Sequence, residues 1–204
     1  MSFDRYAKNW DTDTRINRAK TIATEISNVI DSNNSYTAME YGCGTGLVSF
    51  NLIDRFKNIT LIDSSKGMID ILNDKISKYN IDTMSTYHLD ITDKTKIDSK
   101  YDVIYNSMVL HHIINTKDII KQFYELLNEQ GNLCIIDLDE EDGKFHKKYI
   151  EFKGHNGFRQ AELKEILIGI GFKDIESRTF FQGEKIIEGE KIDYSLFIMK
   201  ATKY

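Results

Sequence analysis

The chain has 204 residues and no proline, and its 41% hydrophobic and 29% charged residues are ordinary for a globular protein. Lys and Arg number 27 against 32 Asp and Glu, so the net charge of -5 disfavours general binding to nucleic-acid phosphates. The two cysteines, Cys43 and Cys134, are too far apart in sequence to suggest a zinc site or a disulfide framework. Free thiols and the lack of a membrane-length apolar run predict a cytoplasmic protein without membrane, nucleic-acid or metal partners.

The first elements of the chain frame a glycine-rich turn. Apolar residues recur at helical spacing over residues 15–32 and predict a first helix. A short strand at 37–41 then runs into a cluster of Gly42, Gly44 and Gly46. Residues 47–56 are predicted to be helical, and the start of that helix would present free N–H groups to a ligand.

The strand–helix alternation continues to the end of the chain. A second strand at 59–63 precedes a helix that either Ser64 or Ser65 can cap. Further strands are predicted at 86–89, 101–105, 133–136, 175–181 and 194–199, and further helices at 119–127 and 161–170. The polar connection 182–193 is too short for a convincing helix, so the last two strands are predicted to form an antiparallel hairpin. This order predicts a single α/β domain over 1–204 with a doubly wound, seven-stranded, mostly parallel sheet.

Ligands of such a sheet bind beyond the carboxyl ends of its strands, where the glycine cluster lies. The run from Glu40 to Gly46 departs from the dinucleotide fingerprint G-x-G-x-x-G, because Leu47 stands at its last position. Asp63 ends the second strand, where doubly wound nucleotide sites place a ribose-binding acid, although capping of the next helix is the alternative. Asp90 ends the third strand and could reach an adenine amino group, or it could be a plain loop aspartate.

Together these residues resemble the class I S-adenosylmethionine (SAM)-dependent methyltransferases, especially small biosynthetic members such as the quinone-biosynthesis methyltransferases. The run from Glu40 to Gly46 carries the most specific likeness. Leu61-Ile62-Asp63, His88-Leu89-Asp90 and Tyr101-Asp102-Val103-Ile104-Tyr105-Asn106 follow in the family's order and at its spacing. Val109-Leu110-His111-His112-Ile113 and the N-terminal residues 3–11 extend the resemblance over nearly the whole chain.

The resemblance implies a Rossmann-like fold, SAM as the cofactor and a set of binding residues. The glycine loop would hold the amino-acid part of SAM, Asp63 the ribose, residues 89–91 the adenine, and Asn106 with Ser107 the methionine moiety. The implied cofactor residues are Tyr41, Gly42, Cys43, Gly44, Thr45, Gly46, Asp63, Ser64, Met68, Leu89, Asp90, Ile91, Asn106 and Ser107. Segments 1–20 and 137–158 would cap the substrate, with Tyr6, Trp10, His111, His112 and His155 as its contacts.

The chemistry expected of this chain is methyl transfer to a small molecule. SAM supplies an electrophilic methyl group, so alignment of the acceptor is the protein's main task. Without proline the chain cannot form the Pro-Cys loop of cytosine-C5 methyltransferases or the proline-rich signature of DNA amino methyltransferases. Asn106 stands where metal-dependent catechol-type enzymes place an aspartate, which again predicts no metal.

A histidine pair follows the fourth strand, and either member could accept a proton near neutral pH. Adjacent residues do not generally face one pocket, so His111 is preferred as the catalytic base because it lies nearer to Asn106. Catalysis by alignment alone is the alternative.

Two other functions remain open for this fold. One is an NAD(P)-dependent oxidoreductase. Against it, the third glycine of this loop is not where the dinucleotide fingerprint has it, and no Tyr-x-x-x-Lys pair follows the fourth strand. The other is a non-catalytic SAM-binding protein.

Overall fold

The computed structural model describes residues 3–31, 34–90, 97, 99–148 and 152–204. Its strands are β1 Thr37–Tyr41, β2 Asn58–Asp63, β3 Met84–His88, β4 Tyr101–Ser107, β5 Leu127–Leu138, β6 Lys173–Ile187 and β7 Glu190–Thr202. They form one seven-stranded sheet in the order β3-β2-β1-β4-β5-β7-β6. Strands β1 to β5 pair in parallel, and β7 is antiparallel to both β5 and β6. The predicted sheet, including its antiparallel last pair, is confirmed.

In the described part of the chain, four α-helices cover the two faces of the sheet: α1 Asp13–Val29, α2 Lys66–Lys78, α3 Thr116–Leu126 and α4 Gln160–Ile170. Apolar residues of α1 and α2 pack in one hydrophobic cluster, and those of α3 and α4 pack in a second one. Among the described residues, no helix combines the length and the apolar character that crossing a membrane requires.

The two clusters follow from the alternation of side chains along buried strands. In β1, Ala38 belongs to the first cluster and Met39 to the second. In β4, Tyr105 belongs to the first cluster and Ile104 to the second. Both faces of the central strands are therefore buried, which leaves the strand ends as the places where polar side chains can meet a ligand.

The prediction of a helix at 47–56 is wrong. The segment forms two short 3-10 turns, Ser49–Asn51 and Ile53–Arg55. The side-chain amide of Asn51 donates to the Leu47 carbonyl at 2.8 Å, which is the oxygen that its own N–H would use in an α-helix. The N–H of Asn51 bonds to the Val48 carbonyl at 3.0 Å instead, which is the 3-10 pattern.

The connection between the last two strands is shorter than the sequence predicted. Pairing of β6 with β7 continues to Ile187 and Glu190, so only Glu188 and Gly189 form the turn. Both have positive φ, 53° and 82°, as a two-residue hairpin of type I′ requires. Most of residues 182–193 is therefore paired strand, and Ile187 and Ile192 are buried there.

Ser65, and not Ser64, is the N-cap of α2. Substitution of Ser65 therefore tests the cap, and the same substitution of Ser64 is its control. The Ser65 hydroxyl accepts from the Met68 N–H at 3.3 Å and donates to Asp4 at 2.8 Å, whereas Ser64 is exposed. We expect Ser65→Ala to lower the free energy of unfolding by about 0.5–2 kcal/mol, and Ser64→Ala to leave it nearly unchanged. Urea titrations of the two variants measure this, and equal losses would contradict the assignment of the cap.

Candidate active site

The glycine loop after β1 is bound to the end of β2 by its backbone. The N–H groups of Gly42 and Cys43 donate to the Ile62 carbonyl at 2.7 and 3.0 Å. Gly42 has φ +72°, and a Cβ there would lie 2.3 Å from a methyl carbon of Val109. Only glycine fits at this position, because both its backbone conformation and the close approach of Val109 exclude a side chain.

The Asp63 carboxylate joins this loop to the start of α2. One oxygen accepts from the Gly44 N–H at 2.8 Å, and the other accepts from the Ser65 N–H at 2.8 Å. Burial raises the pKa of Asp63, while the two N–H bonds act in the opposite direction. A carboxylate can accept about four hydrogen bonds, so two positions remain for the hydroxyls of a ribose.

The residues expected near the adenine lie next to Asp63. The Leu89 N–H donates to the Asp63 carbonyl at 3.0 Å, and the Ser64 carbonyl contacts the His88 ring at 3.1 Å. Burial raises the pKa of Tyr41, and the charges of Asp90 and Asp63 act in the same direction. Met68 is buried in the first turn of α2. Ile91 lies outside the described residues.

Asn106 supplies an independent sign of a ligand at this edge. It is fully buried, and within the described part of the chain neither atom of its amide group has a hydrogen-bond partner. Such a group costs about 1–3 kcal/mol unless a ligand or water satisfies it. Asn106 pairs with Tyr41 between β4 and β1, where the strand order reverses. A polar part of a cofactor fits this position, beside Ser107.

The N-terminal segment lies over the glycine loop. Its 3-10 helix, Phe3–Asn9, is held on α2 because an Asp4 oxygen accepts from the Ser65 hydroxyl and the Gly67 N–H, both at 2.8 Å. The Trp10 indole nitrogen lies 3.6 Å from the position of a Cβ on Gly44. Tyr6 is 45% exposed on the same segment.

The far end of the loop is anchored to the residues that follow Trp10. The Thr45 hydroxyl donates to Asp11 at 2.5 Å, and the Lys75 ammonium donates to the Thr45 carbonyl at 2.9 Å. Lys75 also forms a salt bridge with Asp11. These bonds fix the buried Thr45 and connect the loop with both α2 and the N-terminal segment.

A buried acid–histidine pair lies after β4 and β5. Asp137 near the end of β5 is fully buried, with one carboxylate oxygen 2.5 Å from Nδ1 of His111. Its other oxygen accepts from the His111 N–H at 3.2 Å. This arrangement assigns the ring proton to Nδ1 and leaves Nε2 of His111 as the nitrogen with a lone pair.

Two further imidazoles lie against His111. Its ring centroid is 4.1 Å from that of His112 and 5.0 Å from that of His146. The two rings therefore lie side by side on the 3-10 turn Leu110–His112, with His111 fully buried and His112 partly exposed. Burial, followed by the neighbouring histidines, lowers the pKa of His112 to about 3. Burial and His111 lower the pKa of His146 to about 4, so both rings are neutral near pH 7.

His155, also predicted as a substrate contact, lies at the start of α3. Its Nε2 is 2.9 Å from the Ile113 carbonyl and 3.0 Å from the Thr116 hydroxyl. Its N–H donates to the His111 carbonyl at 2.7 Å, and the adjacent Gly154 allows this approach, since a Cβ there would lie 2.0 Å from that oxygen. His155 therefore fixes the loop beside the histidine pair.

Sequence reasoning missed Asp137, His146 and Phe152 as individual site residues, although segment 137–158 contains them. Phe152 stacks on the His146 ring at 3.9 Å. Asp137 could have been found as a strand-end acid in the position that Asp63 has in β2. His146 has no comparable signal, because its place depends on the path of a loop.

Two cations, Lys185 and Arg18, lie near these rings. The Lys185 ammonium is 4.0 Å from the centroid of Phe145 and donates to the Phe145 carbonyl at 3.2 Å. Arg18 donates to the Tyr194 hydroxyl at 3.1 Å, and the Tyr194 ring lies 5.0 Å from Phe145. Burial, then Arg18 and Arg15, lowers the pKa of Lys185 to about 8. Among the described residues neither Lys185 nor Arg18 has an acidic partner within salt-bridge distance.

Comparison with known proteins assigns the family. A family model described as a methyltransferase domain matches residues 14–177, and the chain therefore belongs to this family. The predicted class I SAM-dependent methyltransferase resemblance is confirmed at the level of family and fold.

Two curated relatives and one solved structure illustrate the match. The chain is 28% identical over 152 residues to an uncharacterized methyltransferase of Schizosaccharomyces pombe, covering 68% of this chain and 54% of that protein. It is 27% identical over 138 residues to the malonyl-[acyl-carrier protein] O-methyltransferase of Acetivibrio thermocellus, covering 66% and 47%. The chain thus spans about half the length of these relatives. Haemonchus contortus phosphoethanolamine N-methyltransferase 2, solved in complex with SAM, superimposes with a TM-score of 0.75 at 14% identity, covering 100% of this chain and 60% of that one.

Glu40 in β1 forms a buried polar network that gives a prediction on pH. The Ser49 hydroxyl donates to its carboxyl group, and the hydroxyls of Ser49 and Tyr105 are 2.5 Å apart. Burial raises the pKa of Glu40 from 4.5 to about 8. The unfolded chain therefore ionises this group before the folded protein does, and stability is lost as the pH rises from about 4.5 to 8.

We expect Glu40→Gln to remove this loss, so that the variant gains stability over the wild type as the pH rises, on the order of 3 kcal/mol. Thermal melts at pH 5 and pH 8.5, without cofactor, measure the difference. Glu165→Gln, at an exposed position of α4, is the control and should follow the wild type. Parallel wild-type and Glu40→Gln profiles would show that Glu40 titrates normally.

Proposed function

We propose that the protein is a SAM-dependent methyltransferase acting on a small-molecule acceptor. The observation that carries this proposal is the convergence of the glycine loop, Asp63 and the buried, unsatisfied Asn106 at one sheet edge of a methyltransferase-family chain. An oxidoreductase of similar fold is disfavoured by that family membership. A non-catalytic SAM-binding protein would share the cofactor site and differ only in turnover.

The cofactor fits the residues at the ends of β1, β2 and β4. The glycine loop would bind the amino-acid part, the two remaining acceptor positions of Asp63 would take the ribose hydroxyls, and the Asn106 amide would meet the methionine end. Leu89 and Asp90 would border the adenine. When bound, SAM supplies the electrophilic methyl group. The chain's own task is to orient the acceptor and exclude water, and the segment containing Trp10 lies over the loop in a position to do so.

His111 is the best-placed group to take a proton from the acceptor. Asp137 holds Nδ1–H, so Nε2 can accept the proton that the acceptor's nucleophilic atom loses as it gains the methyl group. Asp137 would then stabilise the imidazolium by its negative charge. His112 is less suited to this role, because its pKa of about 3 makes it a weak base.

The pair of Lys185 and Arg18 supports an acceptor that carries an anionic group. Both cations lie around Phe145 and Tyr194, and the Phe145 ring is 6.5 Å from that of His111. An anion bound there would compensate the two positive charges. It would also stabilise the charged form of Lys185, which burial disfavours. Methyl acceptors should therefore be screened in pairs that differ by one carboxylate.

Calorimetric titration with SAM and NAD tests the cofactor. We expect SAM to bind and NAD to bind weakly or not at all. Asp63→Asn should weaken SAM binding by about 1.5–3 kcal/mol, the range for hydrogen bonds to a charged group. Asp70→Asn is the control, because Asp70 is exposed and forms only a surface salt bridge with Lys66. Tight NAD binding without SAM binding would refute the proposal, and an unchanged affinity in Asp63→Asn would limit Asp63 to holding the loop.

Turnover of an acceptor from the paired screen tests the base. We expect His111→Gln to lower kcat by about 10²–10⁴-fold at saturating SAM and to abolish the pH dependence of the base. His112→Gln should have a smaller effect, since His112 is neutral throughout the physiological range. Near-native rates and an unchanged pH profile in both variants would mean that catalysis rests on alignment alone.

A further inference from the structure

His111, His112 and His146 offer three ligand atoms that all lie within 4.8 Å of one another. Two of these residues follow β4 and the third lies in the loop after β5, so the fold brings together side chains that are 34 residues apart in the chain. From this cluster we propose that the three imidazoles form a binding site for a divalent transition-metal ion of the zinc type. Imidazole is a preferred ligand of such ions, and three histidines with an open fourth position are an established zinc coordination.

The distances allow coordination after a small closure. In a tetrahedral site with Zn–N bonds of about 2.0–2.1 Å, the nitrogens lie about 3.4 Å apart. The imidazoles would therefore approach one another by at most about 1.4 Å from the present limit of 4.8 Å. His112 is only partly buried, which leaves its ring room to rotate towards the other two.

Asp137 gives the cluster the outer partner that metal-bound histidines usually have. Its carboxylate holds Nδ1 of His111 at 2.5 Å and thereby directs the lone pair of Nε2 away from itself. It also accepts from the N–H groups of His111 and Leu138, at 3.2 and 2.7 Å, so its own position is fixed. Such a carboxylate orients the ligand and makes the ring more basic towards a metal.

Aromatic rings and one cation surround the cluster. The rings of Phe3 and Phe152 lie 5.3 and 5.6 Å from that of His112. The Lys185 ammonium lies 4.0 Å from the centroid of Phe145, whose ring is 4.9 Å from that of His146, so its positive charge opposes a cation at the cluster.

The inference deepens the proposed function but does not depend on it for binding. An acceptor group placed at the fourth position would have its pKa lowered by the ion, so that it could release its proton to water before it attacks the methyl group. The ion would occupy the lone pair of His111 Nε2, so the ligand role and the base role exclude each other in one molecule.

The test uses the full chain without a histidine tag, treated with EDTA and dialysed. Zn²⁺ is titrated by calorimetry, and Co²⁺ is titrated while the visible absorption of the four-coordinate ion is recorded. We expect one ion per chain for the wild type. His112→Gln and His146→Gln should lower the Zn²⁺ affinity by about 10–100-fold or more, and Asp137→Asn by about 10–100-fold. Lys185→Met should increase it, and the exposed His88→Gln should leave it unchanged.

Circular dichroism of each variant shows whether it is folded. If either His112→Gln or His146→Gln does not fold, the other variant still tests the site. Absence of stoichiometric Zn²⁺ binding to the wild type overturns the inference. A loss of Zn²⁺ affinity in His88→Gln as large as the loss in the ligand variants overturns it as well. SAM is titrated into the same preparations. SAM binding without Zn²⁺ binding refutes the metal site alone, and Zn²⁺ binding without SAM binding refutes the proposed function alone.

Discussion

The site depends on the Asp63 carboxylate, which holds three separate segments of the chain together. It ends β2, and it accepts 2.8 Å hydrogen bonds from Gly44 in the loop after β1 and from Ser65 at the start of α2. Hydrogen bonds to a charged acceptor contribute about 1.5–3 kcal/mol each, which makes this group a strong local constraint. Ser65 in turn donates to Asp4, so the position of the N-terminal segment also follows from Asp63. Through these bonds one strand end fixes the shape of the proposed cofactor crevice and of the N-terminal segment that lies over it.

The proposed acceptor side repeats the same physical arrangement around a second acid. Asp137 lies near the end of β5 and accepts from the N–H and the ring of His111, which follows β4. In both places a carboxylate at the carboxyl end of one parallel strand receives donors from the turn after its neighbour. Parallel strands end at a common edge, so Asp63, Asn106 and Asp137 are brought to one side of the sheet by topology alone.

The parts that could be predicted from the sequence are those that local pattern determines. The alternation of buried strands and amphipathic helices specified the sheet, and Asp63 was placed correctly because its position at a strand end is a local property. The prediction of a helix at 47–56 was wrong: the side chain of Asn51 bonds to the carbonyl of Leu47, and its N–H bonds to Val48 in the 3-10 pattern. The connection of the last hairpin was predicted too long because Glu188 and Gly189 are a less distinctive pair than Asn-Gly.

The acceptor side could not be predicted in the same way, because packing between distant segments forms it. Phe3 at the start of the chain lies against His112, and Phe152 lies against both His112 and His146. No spacing rule connects these residues, since their proximity depends on the path of the loop after β5 and on the contact of Gly154 with the His111 carbonyl. Loops on a rigid scaffold commonly carry such recognition. The proposed cofactor side of this protein is therefore set by strand ends, which local sequence pattern predicts. The chemistry of its acceptor has to be inferred from the three imidazoles, the aromatic rings and the two cations that the loops bring together.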